Sequence, residues 1–201
     1  NGHIEGMYLY GFILQDYEES LKYFKKSADK GCIESIFEYG FILYNKDSKK
    51  ASYYIEIASD NGYLLAMNYY ATKLINGDGI QVDAEKGIEY LQNAIDKGYS
   101  TSMNTYAYML EHGEGMPINK EKAIKYYKMA IDNGHATAMT NYAYMLDHRN
   151  DKKEAIKYYQ MAIDNGDSNA FYHLLNMTDV PDEVEIDKDS ILKSLKKEIE
   201  K

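Results

Sequence analysis

Five glycines, Gly31, Gly62, Gly98, Gly134 and Gly166, cut this chain into segments that superimpose residue by residue, and Gly2 stands where a sixth would. Four residues after each anchoring glycine the chain is small: Gly6, Ser35, Ala66, Ser102, Ala138 and Ala170. Eight residues after it stand Tyr10, Tyr39, Tyr70, Tyr106, Tyr142 and Leu174, followed by Gly11, Gly40, Ala71, Ala107, Ala143 and Leu175. With the methionines and isoleucine at plus five, these positions form one stripe on a helix of 3.6 residues per turn, whereas a strand would alternate every second residue.

Counting back from the next glycine gives a second stripe. Ser20, Ala51, Gly87, Ala123 and Ala155 fill minus eleven, Tyr23, Tyr54, Tyr90, Tyr126 and Tyr158 fill minus eight, and Ser27, Ala58, Ala94, Ala130 and Ala162 fill minus four. Each unit is therefore a helix A and a helix B packed antiparallel, with small residues admitting close backbones and tyrosines filling the space between. Asp83 and Asn119 sit where helix B begins and supply cap oxygens, and the glycine after each helix B suits a left-handed stop. Gly62, Gly98 and Gly134 are spaced by 36 residues (98 minus 62; 134 minus 98), while the first, second and fifth units are shorter between their helices.

The pattern of Ala66 to Leu74, then Gly77-Asp78-Gly79, Asp83, Lys86, Tyr90 and Ala94 before Gly98, resembles the Sel1-like repeat family, a relative of the tetratricopeptide repeat. Ala138 to Leu146 and Ala155 to Gly166 are similar without the glycine pair. The resemblance implies an all-α fold, a right-handed superhelical solenoid of antiparallel helix pairs, and an adaptor or scaffold that binds proteins without catalysis. Its repeats would be 1–31, 31–62, 62–98, 98–134 and 134–166, with 167–201 a degenerate sixth whose polar face closes the stack. In that last stretch Asp187 matches Asp83 and Asn119 as a cap, and Leu192, Leu195 and Ile199 carry an apolar stripe.

Charge and composition narrow the partners. A net charge of -9 and a pI near 5.1 argue against nucleic acid, because phosphate binding needs a basic surface. The single Cys32 allows no internal disulfide and indicates a reducing compartment, here read as cytoplasmic. No apolar run reaches the roughly 20 residues that span a bilayer, so no membrane insertion is expected. Because Asn1-Gly2 repeats the closing Asn61-Gly62, Asn133-Gly134 and Asn165-Gly166, the chain reads as starting at a unit boundary. On that reading Met7, Tyr10 and Leu14 lack a neighbour and offer a face for self-association, and a catalytic domain of a larger enzyme could lie outside this stretch.

Residues that could carry chemistry recur as repeat parts. Gly77-Asp78-Gly79 and Gly113-Glu114-Gly115 lack the Gly-Lys-Ser or Gly-Lys-Thr of a phosphate loop and read as inter-helix turns. His112 and His148 occupy equivalent positions in successive units, about 9–10 Å apart at the usual helix spacing and too far to share an ion. The acidic stretch from Asp179 to Asp189 lacks the register of a calcium loop, and Cys32 has no basic neighbour. No cofactor, metal or catalytic residue is expected.

What the repeat does not need is more informative. Opposite the core on helix A stand Tyr8, Phe37, Asn68 and Asn104 at plus six, Asn141 and His173 at plus seven, and Phe12, Phe41, Tyr108 and Tyr144 at plus ten. In arrays of the kind this chain resembles, helix A lines the inner wall. Amides there can bond a peptide backbone while rings cover its side chains, so a protein or peptide ligand is expected along this concave surface.

Overall fold

The computed structural model describes residues 2–178, which are helices and turns throughout. The helices are α1 (Gly2–Ile13), α2 (Tyr17–Ala28), α3 (Ile33–Leu43), α4 (Ser48–Asp60), α5 (Leu64–Asn76), α6 (Ala84–Asp96), α7 (Ser100–His112), α8 (Lys120–Asp132), α9 (Ala136–His148), α10 (Lys152–Asp164) and α11 (Asn169–Leu175). They form two compact units, Asn1–Tyr99 and Ser100–Lys201. In the first, α1/α2, α3/α4 and α5/α6 are hairpins, joined by packing of α2 on α3 and α4 on α5. In the second, α7/α8 and α9/α10 are hairpins, α8 packs on α9, and α11 packs on both α10 and α9. The cap expected after residue 178 and the acidic stretch of Asp179 to Asp189 lie outside the described residues.

Helix ends follow the side chains available to them. Asp16, Asp47, Asp83 and Asn119 accept from the amides of Glu19, Lys50, Lys86 and Lys122 at 2.8–3.0 Å, so one orphan donor of each first turn is satisfied. At the far end Gly134 takes φ +74°, which lets its amide reach the Ile131 carbonyl at 2.8 Å and the His135 amide reach Ala130 at 3.1 Å. In the fifth unit, where the glycine pair is absent, Asn150 adopts the left-handed conformation instead, at φ 64°. Asparagine is the residue that tolerates this after glycine.

The small stripes are fully buried: Ala66, Ala71, Ala94, Ala107, Ala123, Ala130, Ala138, Ala143, Ala155 and Ala162 expose nothing. In the first hairpin serines take this role and bond backbone, Ser20 to the Gly11 carbonyl at 2.6 Å and Ser27 to Ile4 at 3.0 Å. The tyrosines at plus eight and minus eight meet edge to face within each hairpin. Ring centroids stand 4.7 Å apart for Tyr10 and Tyr23, 4.8 Å for Tyr39 and Tyr54, 5.5 Å for Tyr70 and Tyr90, 4.8 Å for Tyr106 and Tyr126, and 4.9 Å for Tyr142 and Tyr158. Such pairs contribute about 0.5–1.5 kcal/mol each beyond their buried area.

The deepest side chains sit one residue further along helix B. Phe24, Ile55, Leu91, Tyr127 and Tyr159, at minus seven, are the largest of the fully buried residues. The tyrosines at minus eight, expected to fill the space between the helices, are less deeply placed: Tyr90 and Tyr126 are buried and Tyr23, Tyr54 and Tyr158 half-buried. A second correction concerns α1. Met7 is buried and Leu14 half-buried, while Leu9, Phe12 and Ile13 are 53%, 54% and 75% exposed beside Tyr10. The apolar face open to solvent on α1 is thus Leu9, Phe12 and Ile13 with Tyr10, because Met7 turns into its own hairpin.

His135 caps α9, its Nδ1 accepting from the Ala138 amide at 3.2 Å, which requires an unprotonated nitrogen. Burial lowers its pKa below the ordinary 6.5, with Asp167 opposing. A histidine held neutral in the fold contributes stability above its unfolded pKa, and that contribution is lost as pH falls from about 6.5 through the lower folded value. Chemical unfolding at pH 7.5 and pH 5 should therefore show the cap's share, about 0.5–1 kcal/mol, disappear in the wild type. His135→Asn, whose cap oxygen does not titrate, should abolish that part of the pH dependence.

Candidate functional site

In Ser100–Lys201, α7, α9 and α11 stand side by side as the helix A elements, and their outward faces with one residue of α8 enclose a concavity of about 280 Å³. Tyr108 and Tyr144 flank it, 41% and 39% exposed. Each ring lies 4.1 Å from the histidine one turn on, Tyr108 against His112 and Tyr144 against His148. Both histidines place Nδ1 3.0 Å from the carbonyl of that tyrosine. A carbonyl only accepts, so Nδ1 carries a proton, and in the neutral ring Nε2 is then the acceptor.

Amides line the same wall. Asn141 Nδ2 donates to Asn104 Oδ1 at 3.0 Å, bridging α9 and α7 and leaving one amide oxygen and one NH2 for other partners. Thr140 beside it is buried and donates to Asp167 at 2.7 Å, while Asp167 also accepts from the Asn169 amide at 3.1 Å. That bond pins the start of α11 to α9. His173 on α11 then meets the Tyr144 ring at 5.3 Å and lies parallel over Tyr159 at 5.9 Å.

The floor is a tyrosine and a carboxylate. Tyr127, fully buried on α8, donates to Glu111 Oε2 at 2.8 Å. Burial first, and then the Glu111 charge, raise the Tyr127 pKa, so its proton stays on oxygen and in that bond. In the next repeat the corresponding pair is Tyr159 and Asp147. Asp147 is one methylene shorter and ion-pairs with Lys152, and the Tyr159 hydroxyl is buried with no hydrogen-bond partner. Removing that orphan donor is favourable and removing the paired one is not. Tyr159→Phe should therefore raise the unfolding free energy by up to about 1 kcal/mol, and Tyr127→Phe should lower it by about 1–2 kcal/mol, as read by urea denaturation.

The residues expected on the wall divide between the two units. Tyr108, Asn141 and Tyr144 line the concavity just described, and Asn104 bonds Asn141 beside it. Tyr8, Phe12, Phe37, Phe41 and Asn68 belong to Asn1–Tyr99, where the rings pack on one another. Phe37 is only 4% exposed, set 5.5 Å from Tyr63, 5.9 Å from Tyr69 and 5.9 Å from Phe41. It is an interior contact between neighbouring hairpins, and the expectation that it faces a partner is corrected. At plus six Phe37 meets Tyr69 of α5 and Asn104 meets Asn141 of α9, the next helix A in each case, whereas Phe12, Phe41, Tyr108 and Tyr144 at plus ten are exposed. Tyr8 is half-buried against Phe12 at 5.0 Å and Phe24 at 6.1 Å. Phe41 remains 47% exposed above Tyr69 at 5.4 Å.

Glu111 and Tyr127 were not singled out from the sequence, yet a signal for them exists. At plus thirteen and minus seven the third repeat has Ile75 and Leu91, the fourth Glu111 and Tyr127, the fifth Asp147 and Tyr159. Both positions turn polar together, as contacting residues would. Among the described residues no three His, Cys, Asp or Glu side chains gather as metal ligands, and no helix is long and apolar enough to cross a membrane.

A family model for the Sel1 repeat matches residues 6–32, 35–63, 64–99, 100–135 and 136–167. Among solved structures the chain is similar to a Sel1 repeat protein from Oxalobacter formigenes, with a TM-score of 0.79 at 20% identity, covering 98% of this chain and 87% of that one. It is similar too to a protective antigen of uropathogenic Escherichia coli displaying an SLR fold, at TM-score 0.72 and 18% identity over 99% of this chain and 46% of that one. An immunity protein from Pseudomonas aeruginosa matches at TM-score 0.71 and 14% identity, over 100% and 82% of the two chains. At these identities the likeness is one of fold. No curated protein matches the chain.

Proposed function

The chain belongs to the Sel1 repeat family, and from that premise we propose that it is a non-catalytic adaptor that captures an extended polypeptide on the helix A wall of residues 100–178. The observation that carries this reading is the convergence of the Asn104–Asn141 amide bridge with the exposed rings of Tyr108 and Tyr144 around one concavity. Amides offer a strand-like backbone its donors and acceptors. Rings with two rotatable bonds cover side chains at low entropic cost.

Selection of a randomised peptide display library on the purified chain tests it. Peptides recovered on the wild type should bind an Asn104→Ala/Tyr108→Ala variant at least tenfold more weakly, with helicity by circular dichroism unchanged. Equal binding by the folded variant would place capture elsewhere.

A second reading, self-association, has its own observation in the exposed Leu9, Phe12 and Ile13 of α1. These three side chains line one helical face, and a second copy could cover them. Sedimentation equilibrium should then show a dimer that Leu9→Glu/Ile13→Glu converts to monomer. A wild-type monomer at high concentration contradicts it.

A further inference from the structure

We propose, resting on the peptide-capture reading above, that the concavity between Tyr108 and Tyr144 takes a guanidinium, the arginine side chain of the captured segment. The argument is one of uncommitted hydrogen-bonding capacity. Glu111 is the charged residue among those that line the cavity, and no lysine or arginine lines it. Its Oε2 accepts from Tyr127, which orients the carboxylate and leaves further lone pairs for a ligand. The Thr140 hydroxyl is taken by Asp167 and one N–H of Asn141 by Asn104, which leaves the Asn141 carbonyl oxygen as an acceptor. His112 uses Nδ1 on the Tyr108 carbonyl, so in the neutral ring Nε2 is an acceptor. What the site has left to offer is mainly carboxylate, imidazole and amide acceptors beside aromatic faces.

A guanidinium complements that set. It carries five N–H donors in a planar fork, accepts nothing, binds carboxylates bidentately and stacks on aromatic rings. An acidic or neutral side chain would leave Glu111 without a counter-charge. A concavity of about 280 Å³ has room for a guanidinium. The chain's net charge of -9 attracts a cationic segment from a distance.

Two measurements on the full chain test the assignment. N-acetyl-arginine amide, titrated by NMR, should shift the Asn104 and Asn141 side-chain amides saturably, and Glu111→Gln, which can still accept from Tyr127, should weaken that response at least tenfold. Tyr144→Ala should weaken it as well, with helicity retained. N-acetyl-lysine amide or N-acetyl-glutamine amide producing the same shifts, or an unchanged response in Glu111→Gln, would overturn the guanidinium. In the peptide selection, arginine should be enriched at one fixed position. Wall-dependent peptides without that enrichment would overturn this inference and leave peptide capture standing, whereas recovery of no wall-dependent peptide would overturn both.

Discussion

Leu91→Ala is expected to lower the unfolding free energy by about 2–5 kcal/mol, more than any substitution of an exposed tyrosine on this chain. Leu91 exposes nothing and belongs to the minus-seven row with Phe24, Ile55, Tyr127 and Tyr159, the side chains around which each hairpin closes. Truncating it removes most of a buried leucine's transfer free energy and adds the cost of a cavity that two backbones in contact cannot collapse to fill. Tyr53, 60% exposed on α4, provides the control: its alanine variant should lie within about 0.5 kcal/mol of wild type. Urea midpoints for the pair decide the point. A Leu91 variant indistinguishable from the Tyr53 variant would mean that the hairpin core has been misplaced.

Gly87→Leu should be comparably damaging for the opposite reason, too much volume. A Cβ at Gly87 would fall 2.8 Å from the Ala71 carbonyl oxygen and 2.7 Å from Ile75 Cγ1, and the first of these is backbone. Every other hairpin solves the same crossing with a small pair: Gly11 with Ser20, Gly40 with Ala51, Ala107 with Ala123, Ala143 with Ala155. In the third the glycine lies on α6 rather than on helix A. Gly87→Ala already brings that Cβ against the Ala71 carbonyl oxygen, so α5 and α6 must shift to admit it, and the gain of up to about 1 kcal/mol in helix propensity offsets only part of the cost. Leucine adds three further carbons where α5 leaves no room, and a cost of about 3 kcal/mol is expected. Thermal melting of the two variants measures it, and a Gly87→Leu protein melting with the wild type would contradict this close approach of α5 and α6.

The hairpins were legible in the sequence because their signals are repeated. Fixed small residues, paired tyrosines and cap residues recur in register, and the structure uses Asp83, Asn119 and the closing glycines as that register implies. The minus-seven row carries no repeated signal because it changes type, Phe, Ile, Leu, Tyr and Tyr, beside an unvarying tyrosine. Burial selects volume and shape rather than identity. The wall was legible only in part. Plus ten faces solvent as expected, but plus six faces the neighbouring helix A, a distinction that depends on how hairpins lean and not on helical period alone. Phe37 was misassigned for that reason. Glu111 and Tyr127 stand far apart in the repeat, and the one trace of their contact in the sequence is that both positions turn polar together.

Mapping a selected peptide onto the folded chain by NMR tests the central claim most directly, because it asks where a polypeptide lies without altering any residue. If residues 100–178 capture it as described, the largest perturbations fall on Asn104, Tyr108, Asn141 and Tyr144, with His112 and His173 beside them. Perturbations gathered instead on exposed helix B residues such as Lys125, Lys128, Lys153 and Lys157, with the wall unmoved, would contradict the account.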